Sequence, residues 1–153
     1  MQDAIRRKQL LGQSSKVDEF SIRLVQQLLS GAGEGSQAGV KFLPVTNESA
    51  CFVVLVHCKR VRFDFVHAIH DGPHGDILVG RFNVYVEDRK SDLHARKGGF
   101  TLFPPTDIAF DDGGTTYFGI EPMEYDIQSA RDQVKRIAVS IAQDELQRLP
   151  LTR

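Results

Sequence analysis

The chain has 153 residues, 41% hydrophobic and 25% charged, with a net charge of −1. That is enough chain for a real core without staples, and the charge gives no global attraction to nucleic acid or anionic lipid. No apolar run approaches the ~20 residues needed to cross a bilayer, and the basic start (Arg6, Arg7, Lys8) lacks the apolar stretch of a secretory signal.

Residues 1–14 are polar and weakly patterned, and read as a mobile arm or an extra helical turn. A helix is expected over 16–30. Ser15 stands as N-cap with Asp18 three residues on, in the manner of a capping box. Val17, Phe20, Leu24 and Leu28 fall on one stripe, widened by Val25 and Leu29, which is helical spacing with a face to bury. Residues 31–39 hold four of the chain's glycines and read as a flexible connector. A phosphate-binding loop would follow a strand and open a helix, whereas this run follows a helix and opens a strand.

Strands come next. Residues 40–46 form a short one, with Pro44 pointing to an edge position. Residues 51–58 and 61–69 read as a hairpin around Lys59-Arg60, with Phe52, Val54, Val56, Cys58, Val61, Phe63, Phe65 and His67 on the core face. That register pairs Val56 with Phe63. It leaves Val53, Leu55, His57, Arg62, Asp64 and Val66 on a mixed second face. A turn over 70–76 leads to a strand over 77–87, on which Leu78, Phe82, Val84 and Val86 share a face. Residues 88–99 are loop-like. Short strands over 100–103, 108–110 and 116–120 follow, the last two joined by the turn Asp111-Asp112-Gly113-Gly114. A final helix is expected over 127–149 with Asp126 as N-cap; Arg131 and Lys135 face away from its apolar stripe. Successive strands without intervening helices imply an antiparallel meander. The expectation is one α+β domain over 1–153: five or six strands flanked by an N-terminal helix and a long C-terminal helix.

Cys51 and Cys58, if on one strand, lie about 23 Å apart, far beyond the ~7 Å limit for a disulfide. Both read as buried, reduced thiols, which favours a cytoplasmic setting. His57 beside Cys58 points to the opposite face of a strand and is no base for it. No serine sits in a Gly-x-Ser-x-Gly elbow. His70, Asp71, His74 and Asp76 bring imidazoles and carboxylates together as candidate ligands for a divalent metal; His67 reads instead as a hydrogen-bonded core histidine. Asp64 is expected to pair with Arg62 or a neighbouring strand. Phe63 and Phe65 face away from Arg62, so they offer no stacking platform for nucleic acid.

Charge is uneven along the chain. Residues 1–16 carry a net +3. Residues 107–126 carry Asp107, Asp111, Asp112, Glu121, Glu124 and Asp126 with no basic residue. The leading expectation is a non-catalytic binding protein of adaptor, chaperone or inhibitor type. It would recognise a protein partner through Asp111, Asp112, Glu121 and Glu124 or through the mixed sheet face, and need no cofactor. The acidic segment could also receive the basic N-terminus of a second copy, and the half-apolar sheet face suggests a homodimer. The alternative is a metal-dependent hydrolase, with His70, His74 and Asp76 holding the ion and Asp71 as ligand or base.

Overall fold

Period-two alternation through the middle of the chain builds one antiparallel sheet, and the two amphipathic helices fill the same face of it. A computed structural model describes residues 2–30, 39–73, 75–87 and 98–150. Helix α1 is Gln2–Ser30 and α2 is Glu124–Asp144. Between them run β1 (Val40–Val45), β2 (Glu48–Val56), β3 (Lys59–Gly72), β4 (Gly75–Val86), β5 (Gly99–Phe103), β6 (Asp107–Phe110) and β7 (Thr115–Tyr117). Spatial order equals chain order and every pair is antiparallel. The α+β meander is therefore as expected, with seven strands in place of five or six. The segments expected over 108–110 and 116–120 form β6 and β7, each short but separately paired.

The core is a ladder of phenylalanines on the helix-facing side. Phe52 stacks on Phe63 at 4.6 Å between centroids, and Phe82 on Phe100 at 4.8 Å. Phe42 and Phe110 extend the row toward β1 and β6. Val17, Phe20, Leu24 and Leu28 of α1 and Ala130, Val134, Ala138 and Ile141 of α2 are buried. Aromatic pairs across adjacent strands fix the pairing by matching large side chains on one face.

Four local expectations are corrected. Residues 2–14 belong to α1, so Ser15 is mid-helix and caps nothing. The β2–β3 loop is His57-Cys58, both at positive φ (50° and 61°), so Phe52 pairs with Phe63 and Val56 with Lys59. Two central residues at positive φ make a primed turn whose twist suits a tight hairpin. The register differs from the expected one by four residues. Because four is even, the side chains that stay within the paired strands keep their faces. Cys58 becomes an exposed turn residue. Finally, α2 starts at Glu124 with Met123 as an extended N-cap that gives no side-chain cap, so Asp126 lies inside the first turn. Pro44 does mark an edge strand, at a register shift in β1. The connector residues 31–38 and the loop residues 88–97 lie outside the described residues. Among the described residues no helix is long and apolar enough to cross a membrane.

Candidate functional site

The β3–β4 hairpin is longer than its neighbours can cover. Strand β2 pairs with β3 as far as Phe63, and β5 pairs with β4 over Gly80–Asn83. Beyond that, residues 66–73 and 75–79 form a two-stranded arm, and among the described residues no further strand pairs with it. A lone hairpin is marginal in water, and this one is backed by α1, which runs along β4 from tip to body. At the tip Arg6 forms an ion pair with Asp76. One stage lower, the Leu78 backbone N–H, which no neighbouring strand uses, donates to Gln13 Oε1 at 2.7 Å. At the base α1 closes onto Gly80, where an added Cβ would sit 3.3 Å from Val17 Cγ1. His67 Nε2 lies 2.7 Å from Asp18 Oδ1. Its side chain is hydrogen bonded as expected but 38% exposed, because β3 has left the core by that point; it is not a buried histidine.

Helix and arm do not close completely. Arg7, Leu10, Leu11 and Ser14 of α1 face His67 and Leu78 across a cleft of about 410 Å³, with a lining that is almost wholly apolar. Leu11 on its lip is 75% exposed, and Ile5 and Ile69 are also exposed. Arg7 in the wall and the adjacent Lys8, exposed, supply positive charge. Asp3 and Asp71 are exposed toward the tip. Large exposed apolar groups beside a preformed hollow are uncommon on a self-sufficient surface.

The candidate metal turn is narrower than expected. Strand β3 runs to Gly72 and β4 starts at Gly75, so His70, Asp71 and Asp76 are strand residues. Register places Asp71 opposite Asp76 and His70 opposite Ile77. Alternation therefore puts both aspartates on the α1 side and His70 on the other. The His70 ring packs edge-on against Phe103 at 5.0 Å, while Asp76 is held by Arg6. Two carboxylates directly opposed repel, and Arg6 offsets this at Asp76. His74 lies outside the described residues. Among the described residues no three donors gather as a metal site would require.

The acidic residues fall in two places. Asp111 and Asp112 occupy the β6–β7 turn, where Asp111 takes both guanidinium nitrogens of Arg81 at 2.6 Å. Asp112 Oδ1 accepts the Gly114 N–H, and its other oxygen lies 3.6 Å from Arg136. Glu121 and Glu124 lie beyond the far end of the hairpin, since the Phe118 N–H donates to Thr106 O. Arg136 is twelve residues along α2 from Glu124, so the two groups are separated by roughly 18 Å of helix. Around Glu121 and Glu124 stand Tyr117, Ile120, Met123 and Tyr125, all exposed, with Ile120 at 75% and Tyr125 at 81%. Asp107 opposes Tyr117 across β6 and β7.

On the sheet face away from the helices, Asp64 accepts from Arg62 Nε at 2.6 Å and from the Tyr85 hydroxyl at 2.7 Å, while Arg62 also reaches Glu48 at 2.5 Å. Asp64 thus has the cross-strand role expected of it. The Asp64 hydrogen bond holds the Arg62 guanidinium above its usual pKa. Burial first, and the Asp64 hydrogen bond second, push the Tyr85 hydroxyl up to about 12. Burial also pushes the Cys51 thiol up, opposed by a hydrogen bond with the Phe65 backbone. These groups satisfy one another. Phe63, by contrast, is buried in the core.

Sequence reasoning missed two arginines that join the elements. Arg131, expected on the outer face of α2, is buried and donates to Gln27 O at 2.9 Å. The last turn of α1 has no basic residue of its own, so α2 supplies the cation that a helix C-terminus favours. Arg23 lies over the Phe20 ring and donates to Pro105 O at 3.0 Å, locking α1 to the β5–β6 connection. Burial lowers its pKa, against the nearby charge of Glu19. No protein-family model, curated protein or solved structure matches the chain.

Proposed function

We propose that this chain is a non-catalytic binding protein of the cytoplasm that recognises a protein partner through the cleft between α1 and the hairpin arm. The observation that carries this reading is the cleft: an open apolar hollow of about 410 Å³ with Arg7 in its wall and Leu11 exposed on its lip. That volume is in the range of roughly 300–1,000 Å³ typical of ligand sites. Apolar anchors in a hollow, with charge at the rim, are the form in which most interface energy is concentrated. The matching segment carries large apolar side chains flanked by carboxylates. Cys51 and Cys58 are both free thiols, which supports a reducing compartment.

A photo-reactive amino acid placed at Leu11, in cells that make the protein, tests the reading. Its side chain is already in solvent, so the fold tolerates the change. Protein cross-links from position 11, and none from a photo-reactive control at exposed Asp132 on α2, are expected. A Leu11 probe that yields no protein adduct on irradiation overturns the reading.

A further inference from the structure

The partner chemistry that the cleft selects is present on this chain itself. The β7–α2 segment displays Tyr117, Ile120, Met123 and Tyr125 within nine residues, interleaved with Glu121 and Glu124. Four of the large apolar side chains exposed on the described surface are therefore concentrated in one short stretch of carboxylates. The cleft offers the complement: Leu10, Leu11 and Leu78 as apolar walls, Arg7 among them and Lys8 beside it.

One molecule cannot bring the two together. Arg23 of α1 donates to Phe118 O at 3.4 Å, which fixes the β7–α2 segment beside the second half of α1. Arg7 lies sixteen residues earlier on the same helix, so the cleft is roughly 24 Å away along the helix axis. A rigid helix cannot fold back over that span, whereas a second copy can present its own segment there.

We infer that the cleft of one copy receives the 117–125 segment of another, with Met123 or Tyr125 entering the hollow and Glu121 and Glu124 facing Arg7 and Lys8. This rests on the binding reading above and names the partner as a second copy. If the contact is reciprocal, a two-fold dimer closes with two such contacts; if not, copies add head to tail. Both outcomes use the same pair of surfaces.

Purified full chain is examined by light scattering and sedimentation over a range of concentrations at low salt. Wild type is expected to associate, and to dissociate as salt screens the charges. The pair Arg7→Glu/Lys8→Glu and, separately, the pair Glu121→Lys/Glu124→Lys are expected to weaken association at least roughly tenfold each. Mixing the two charge-reversed proteins restores it, because acidic arm then meets basic segment. All four positions are on the surface, and unchanged circular dichroism and melting temperature confirm that the variants fold. A wild type that stays monomeric overturns the inference, as does association that ignores both reversals or is not restored on mixing. A monomeric wild type that still gives Leu11 cross-links to another protein leaves the binding reading standing; a Leu11 probe without adducts removes that reading instead.

Discussion

Gly80 is the point at which helix, arm and body meet, and Gly80→Ala tests whether that junction is as tight as the geometry states. The added Cβ would lie 2.6 Å from Phe65 Cε1, 3.3 Å from Val17 Cγ1 and 3.4 Å from Leu102 Cβ. Carbon atoms sit comfortably at about 3.5–4.0 Å, so the Phe65 ring edge must retreat by roughly 1 Å. The ring is not free to do so at no cost, since it packs on Phe82 at 5.4 Å and edge-on to His67 at 5.5 Å. Retreat on the helix side would move Val17, which is fully buried. Overpacking of this kind costs about 1–3 kcal/mol, and the lower chain entropy of unfolded alanine returns about 0.4–1 kcal/mol. The net expectation is a loss of about 1–2 kcal/mol, or a melting temperature lower by roughly 2–8 °C for a chain of this size. Urea unfolding followed by circular dichroism would show a lower midpoint with an unchanged slope. Phe65→Leu in the same background removes the ring edge and should recover part of the loss, with a favourable coupling of about 1 kcal/mol. An alanine variant as stable as wild type, or a double mutant that is merely additive, would refute the packing argument.

Two further predictions concern titration and reactivity. Tyr85 has its ionisation raised to about 12, above the usual value of about 10. Its contribution to stability is therefore fully present below about pH 10 and is lost as pH rises through 12. An absorbance titration should show a late phenolate component that Tyr85→Phe removes; a variant with an unaltered titration curve contradicts the Asp64–Tyr85 link. Alkylation of the native protein should modify exposed Cys58 roughly tenfold faster than Cys51, which is half-buried and whose thiol is raised by burial. Equal rates by mass spectrometry would show that the hairpin turn and the sheet face are not as described.

What was legible in the sequence was whatever periodicity encodes. The alternation in Cys51 to Phe65 gave the faces of the paired residues even though the register was misplaced, since a slip of four residues preserves parity; but Cys58, expected on the core face, is exposed in the turn, and Val53, expected on the mixed face, is fully buried. The turn itself was missed because Lys59-Arg60 lies between two apolar runs, while His57-Cys58 lies within them. Histidine is one of the few non-glycine residues enriched at positive φ, and that was the available signal. The first half of α1 was obscure for a different reason. It covers a two-stranded arm and not the full sheet, and much of its contact is polar, through Arg6 and Gln13, so no continuous apolar stripe appears. Arg131 looked like a solvated residue because its partner, the Gln27 carbonyl, is a backbone atom more than a hundred residues away. The candidate site was legible only as charge: a basic beginning and an acidic stretch. That the acidic stretch divides into Asp111-Asp112, which face Arg81 and Arg136, and Glu121-Glu124, set among exposed apolar groups, depends on the β6–β7 pairing.

The way the sheet treats its edges separates stability from recognition. An unpaired strand edge invites association with other strands, and natural sheets blunt it. Here β1 carries Pro44 at a register shift, and β7 is only three residues long with α2 packed nearby. Both features blunt those edges against strand addition. The arm is treated differently. Its β4 edge is met by a side chain, Gln13, and its helix-facing surface is left partly open as the cleft. The buried aromatic ladder lies wholly in the body, between Phe42 and Phe110, so substitutions on the lip at Leu11 or Arg7 remove no core contact. A protein built this way can change what its arm binds without changing what holds it folded. That is why the surface variants proposed for the arm report on recognition, and Gly80, where arm joins body, reports on the fold.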